Sequence, residues 1–151
     1  MLDKRAIVAL VERHGEVRGF HVPNVNRENL ARVLFGNIAK DTHVMTDEAT
    51  RYWKLGETFD KHSSVNHSRK EYARGDVTTN TVEGFFSILK RGITGIYQCV
   101  SEEHLQRYVD EFSFRYNNRV KLGVNDEQRA INSLKGIGGK RLTYKRVDSA
   151  T

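Results

Sequence analysis

Two β-rich runs, RAIVALVER at 5–13 and VRGFHV at 17–22, flank the tripeptide HGE, and this adjacency constrains the fold more than any other local pattern. Val, Ile and Phe favour extended backbone, and three residues including a glycine suffice to reverse it, so the pair predicts a β-hairpin. Pro23 ends the second run, since it has no N–H for a ladder. Asn26 is then placed to cap a helix over about 27–38, with Leu30, Val33, Leu34 and Ile38 on one face. HVMT at 43–46 predicts a short strand that delivers Asp47 to its C-terminal end. EATRYWKLG follows as a short helix stopped by Gly56, HSSVNHS (62–68) as a strand, and RKEYARGDVTTN as a polar loop. A helix is expected over about 80–91. A second opens at Ser101 as N-cap, with Glu102 and Glu103 in the first turn where the helix dipole favours acids. Its face is Leu105, Tyr108, Val109, Phe112 and Tyr116. Glycines at 136, 138 and 139 precede KRLTYKRV, which reads as a strand or an extended arm. The order β-β-α-β-α-β-α-α predicts an α/β domain with a mixed sheet.

A chain of 151 residues suffices for one domain with one core. Hydrophobic residues at 38% and charged residues at 29% exclude the disordered class. No apolar run is long enough for a bilayer span and MLDKRAIVALVERHG lacks a signal-peptide layout, so no membrane partner is expected. The single cysteine, Cys99, forms no internal disulfide and has no supporting base nearby, which points to a reducing cytoplasm and to packing rather than nucleophilic work. Net charge is +6, unevenly placed: nine basic residues between Arg115 and Arg146, against Asp126 and Glu127, give that window +7. A basic tail, 126–151, beside a near-neutral body, 1–125, is an electrostatic footprint for phosphate; a solubilising tail has the same composition.

Asp47 follows a predicted strand, the place in open α/β sheets where ligands gather, and it also precedes a predicted helix that it could cap. Glu83, Ser87 and Lys90 share one helix face by their spacing, with Phe85, Ile88 and Leu89 as the opposite, apolar stripe. Two carboxylates from separate elements suit Mg²⁺ or Mn²⁺, which prefer hard oxygen ligands. Lys90 stands about 10 Å further along the helix, in reach of a flanking phosphate. An ordinary solvated helix face has the same residues. Asn66, His67 and Arg74 are candidate substrate-side contacts in polar loops. His62 and His67 have no ligand-rich motif around them for zinc.

The spacing is sharper. Thirty-five residues, 48–82, separate Asp47 from Glu83, and Lys90 follows seven later. This resembles the D-35-E arrangement, with lysine seven residues on, of DDE transposases and retroviral-type integrases. VMTDE, VNHSRKEYARGDVTTNTVEGFFSILKRG and HLQRYVDEFSFRYNNR are similar to the catalytic domain of bacterial insertion-sequence transposases, over about Lys4 to Arg119. The resemblance implies a ribonuclease H-like fold, a mixed sheet flanked by helices, in which three acids hold two divalent ions, Mg²⁺ or Mn²⁺. Asp47 matches the second acid, Glu83 the third, and Lys90 the lysine on transposon-end DNA. Asn80, one turn before Glu83, is the lesser candidate ligand. Arg91, Arg115 and Arg119 join the DNA-facing set. Double-stranded DNA, as transposon ends and target, and a second copy of the chain are the implied partners, in a bacterial cytoplasm at the nucleoid.

The first acid of that pattern has no counterpart. In the family it lies on the central first strand, upstream of the hairpin that begins here at Arg5, and Asp3 stands in the wrong place to replace it. The resemblance therefore implies a truncated domain lacking that strand and the terminal DNA-end-binding domain. KRLTYKRV, a partner chain or a separate N-terminal piece are the alternatives for filling the gap. Three functional readings follow: a metal-dependent transposase making phosphodiester cuts and strand transfers, an inactive remnant that binds DNA or an intact transposase, and a structure-selective nuclease of the same fold.

Overall fold

The computed structural model describes residues 5–47, 58–66 and 73–139. The predicted hairpin is its base: β1 (Ala6–Val11) pairs antiparallel with β2 (Val17–Val22), in register from Ala6 opposite Val22 to Val11 opposite Val17. Glu12 N–H donates to the Glu16 carbonyl at 2.8 Å, closing the turn, and His14 rather than Gly15 takes the left-handed conformation, at φ 60°. Hydrogen-bonded pairs alternate along an antiparallel ladder. The Glu12–Glu16 bond therefore directs the backbone groups of Val17, Gly19 and His21 outward from β2, and those of Ile7, Ala9 and Val11 outward from β1.

The outer edge of β2 is covered by α3 (Glu102–Asn117). The Gln106 amide accepts from His21 N–H at 2.7 Å and donates to the Gly19 carbonyl at 3.0 Å. Three turns on, Asn117 accepts from Val17 N–H at 2.7 Å and donates to its carbonyl at 3.0 Å. Two side-chain amides thus replace a neighbouring strand and satisfy groups that an open edge would leave to another chain. Such close approach requires Gly19: a Cβ there would stand 2.3 Å from Val109 Cγ1.

Each face of the hairpin has its own core. On one, Val8, Val22 and Val44 pack with Phe59 and with Leu30, Val33 and Leu34 of α1 (Arg27–Asn37). Helix α1 begins as predicted, the Asn26 side chain accepting from Asn29 N–H at 2.8 Å. On the other face Val17 meets Phe85 and Leu89 of α2 (Asn80–Gly92) and Leu105, Val109 and Phe112 of α3. Ile88 does not belong to the buried stripe of α2: it is 44% exposed, and the stripe runs Phe85, Leu89, Gly92. Residues 85, 89 and 92 repeat at four and three, whereas 88 is rotated toward solvent.

Beyond α1, β3 (His43–Asp47) pairs parallel with β4 (Lys61–Val65). The segment read as a polar loop contains a small hairpin instead, β5 (Ala73–Arg74) with β6 (Val77–Thr78), because Gly75 at φ 58° makes a two-residue turn. The helix predicted over EATRYWKLG and the KRLTYKRV segment lie outside the described residues. The strands described form three two-stranded sheets, not one mixed sheet, since no described strand stands between β1 and β3. The class is α/β with four α-helices among the described residues.

The chain divides into two compact units, Met1–Asn117 and Asn118–Thr151. In the second, the tail opens as a helix the sequence reading lacked, α4 (Asp126–Lys135), capped by Asn125, whose side chain accepts from Gln128 N–H at 2.8 Å. Buried Asn118 ties it down through Arg129 Nε and Asn132 Nδ2 at 2.8 and 2.7 Å.

Two glycines of α2 separate propensity from packing. Gly84→Ala, with nothing within 4 Å of the added Cβ, should raise stability by up to about 1 kcal/mol in urea unfolding. Gly92→Ala has the same propensity gain, but its Cβ would stand 2.0 Å from Cζ of buried Phe112, and a net loss of about 1–3 kcal/mol is expected.

Candidate active site

The parallel pair β3–β4 is a platform for Asp47. Alternation puts Val44 and Thr46 on the buried face and His43, Met45 and Asp47 on the other, with Asp47 exposed at the strand's end opposite Val65. The platform is tied across both faces. His43 Nε2 lies 2.9 Å from Ser63 Oγ, and His62 Nε2 lies 2.9 Å from Thr46 Oγ1, which donates to the Asp47 carbonyl at 2.9 Å. His62 is thus employed within the platform, while His67, its partner in the zinc pattern, lies outside the described residues.

Glu83 arrives from the other side. Helix α2 starts at Asn80 behind buried Thr79, whose hydroxyl donates to Glu83 Oε1 at 2.6 Å. This bond to a charged acceptor is of the stronger kind and holds the carboxylate in one rotamer. Asp47 and Glu83 line the same cavity, of about 840 Å³, together with Thr78 and Thr79. Thr79 escaped sequence reasoning; its signal was position, directly ahead of the helix start and four residues before the glutamate.

The remaining sequence candidates separate. Glu83, Ser87 and Lys90 are all exposed along α2, as their spacing predicts, and Arg91 is exposed beside Lys90 in the last turn. Asn80 is exposed at the helix start, with its N–H given to Thr78 Oγ1 at 3.1 Å. Asn66, half-buried, directly follows β4, and Arg74 pairs through its backbone with Val77. Arg115 is committed within the fold: it bonds Glu111 at 2.5 Å and lies 5.7 Å from the Phe112 ring centre. Arg119 belongs to the second unit, ahead of the short turn Val120–Leu122. Among the described residues no three His, Cys, Asp or Glu side chains converge as a metal cluster. No described helix is long and apolar enough to cross a membrane.

A strand end and a helix start that bring two carboxylates to one cavity, with cations further along the helix, fit the transposase class that the D-35-E spacing resembles. Residues 2–117 match the model of the ISXO2-like transposase domain, and the chain belongs to that family. An uncharacterized transposase-like protein of Haemophilus influenzae is 28% identical over 97 residues, which cover 64% of this chain and 77% of that protein. No solved structure matches the chain.

The platform histidines generate a pH dependence. Burial, then the charges of Lys61 and Arg13, lower the pKa of His43; burial, then His43, lowers that of His62. With folded pKa values below the unfolded value of about 6.5, the unfolded chain takes up protons first on acidification. Their contribution to stability is therefore complete above about pH 6.5 and is lost as pH falls from there toward the folded values. Melting temperatures should therefore drop as pH falls below about 6.5, and less steeply in His62→Asn, which removes one of the two groups.

Proposed function

We propose that this chain works as the catalytic part of a DNA transposase with a ribonuclease H-like architecture, and that Asp47 and Glu83 are its ligands for Mg²⁺ or Mn²⁺. The observation that carries the reading is that these two carboxylates, from different elements, line one cavity. The donor set fits such an ion. Mg²⁺ is commonly held by one or two carboxylates and completes its octahedron with water and substrate phosphate oxygens. When bound, the ion polarises the scissile phosphate and activates the attacking oxygen.

The chain's own residues order and bind. The Thr79 hydroxyl fixes Glu83 before any ligand arrives, so less side-chain entropy is lost on binding. Asn80 is the lesser candidate ligand at the same helix start. Lys90 and Arg91 present two cations to DNA phosphates along α2. Asn66, His67, Arg74, Arg115 and Arg119 are further candidate contacts that rest on the family resemblance alone, with double-stranded transposon ends and target as partners. Transposition joins paired ends, so a second copy of the chain belongs to the active assembly.

Mn²⁺ titration of the purified chain, followed by thermal unfolding, tests the metal site. Wild type should be stabilised, by about 2.7 kcal/mol at a hundredfold excess over Kd, with the response lost in Asp47→Asn and in Glu83→Gln. A folded wild-type chain with no response sinks the assignment. For DNA, Lys90→Ala should weaken binding on all sequences and reduce the slope of log K against log salt by about 1. An unchanged slope removes Lys90 from the interface.

A further inference from the structure

Helix α4 is held by its polar face. Its side-chain ties within its own unit run to buried Asn118: Arg129 Nε donates to the Asn118 carbonyl at 2.8 Å and Asn132 Nδ2 to Asn118 Oδ1 at 2.7 Å. Gln128 joins this side by donating to Asn132 Oδ1 at 2.9 Å. The apolar residues stand opposite. At about 100° per residue, Ala130, Ile131 and Leu134 fall on the side of the helix that faces away from Arg129 and Asn132. A surface helix ordinarily turns such a stripe to the core. Here no residue of α4 is buried: Ile131 is 39% exposed, Leu134 67%, and Ile137, just past the helix, 59%.

The charges beside that stripe are complementary to themselves. Glu127 stands four residues before Ile131 and Lys135 four residues after it, so each is one turn from the isoleucine. Neither enters an ion pair among the described residues, whereas Asp126 is bonded to Arg129. Two copies of α4 laid antiparallel about a two-fold axis at Ile131 bring each residue before it level with the one equally far after it. Ile131 then meets its own copy, and Glu127 of each chain stands level with Lys135 of the other, once at either end. A parallel pairing instead sets Glu127 against Glu127 and Lys135 against Lys135, with both helix dipoles in the same sense.

We propose that this face of α4 docks a second copy of the chain, as an antiparallel helix pair with a Glu127–Lys135 ion pair at each end. Burial of Ile131 and Leu134 drives the association, and the charges set its direction and register. Ten residues at a rise of ~1.5 Å make a seam about 15 Å long, which covers much less than the ~800 Å² per partner of a stable complex. The pair is therefore weak and reversible, forming at roughly micromolar to millimolar concentration. The inference goes beyond the transposase reading: it stands on α4 alone, involves neither Asp47 nor Glu83, and names the surface through which two copies meet.

Sedimentation equilibrium of the full chain, without metal or DNA and up to about 1 mM, is the test. The wild type should pass from monomer to dimer across the series. Glu127→Lys and Lys135→Glu each set like charges at both ends, so either alone should weaken association about tenfold. An equimolar mixture of the two variants should regain wild-type affinity, because every end again has one acid and one base. Leu134→Glu should abolish the dimer yet leave the melting temperature of the dilute chain unchanged, since the side chain is 67% exposed. A wild type that stays monomeric throughout overturns the proposal, as does a mixture no tighter than either variant. A dimer indifferent to Leu134→Glu places the contact on another surface. A melting temperature lowered by that substitution at high dilution means that the face is packed within the chain. Either result overturns the proposal too.

Discussion

Everything in the larger unit is arranged around a strand that has no polar face. β1 carries apolar side chains up and down, so each side of the hairpin must be covered by a helix layer. Helix α1 covers one side and α2 with α3 the other. The hairpin is thus a shared floor for two cores rather than the lid of one. Its partner β2 alternates less strictly, and along its outer edge α3 replaces a further strand with two amides. That arrangement fixes the height of α3 over the sheet through Gly19, and α2 follows because Gly92 lies against Phe112.

Helix α2 joins packing to chemistry. Its buried stripe fixes its rotation about its axis, and the same rotation turns Glu83 toward the cavity and leaves Lys90 and Arg91 in solvent. The buried Thr79 hydroxyl then selects a rotamer for Glu83. On the opposite side Asp47 owes its place to a parallel strand pair cross-tied by His43–Ser63 and Thr46–His62. Rigid support of this kind on both sides lowers the ordering entropy that a ligand of either carboxylate would cost.

Much of this was legible in the residues. The hairpin, the Asn26 cap, the strand ending at Asp47 and the faces of α2 and α3 follow from alternation, capping chemistry and helical spacing, all of which act over a few positions. The pairing of Asp47 with Glu83 is an inference from spacing and family resemblance, and in the fold both residues line one cavity. Other features escaped: the exposure of Ile88, the β5–β6 turn at Gly75, the α4 helix behind Asn125, and the Thr79 hydroxyl on Glu83. The turn and the caps were local signals left unread. The rotation of Ile88 to solvent and the amides of α3 on the edge of β2 were not local at all. Local sequence determined which elements form, because backbone preference and side-chain periodicity are properties of neighbouring residues. Only the tertiary structure decided how the outer edge of β2 is covered, because hydrogen bonds between residues about a hundred positions apart, as Val17 and Asn117 are, exist only once the chain has packed.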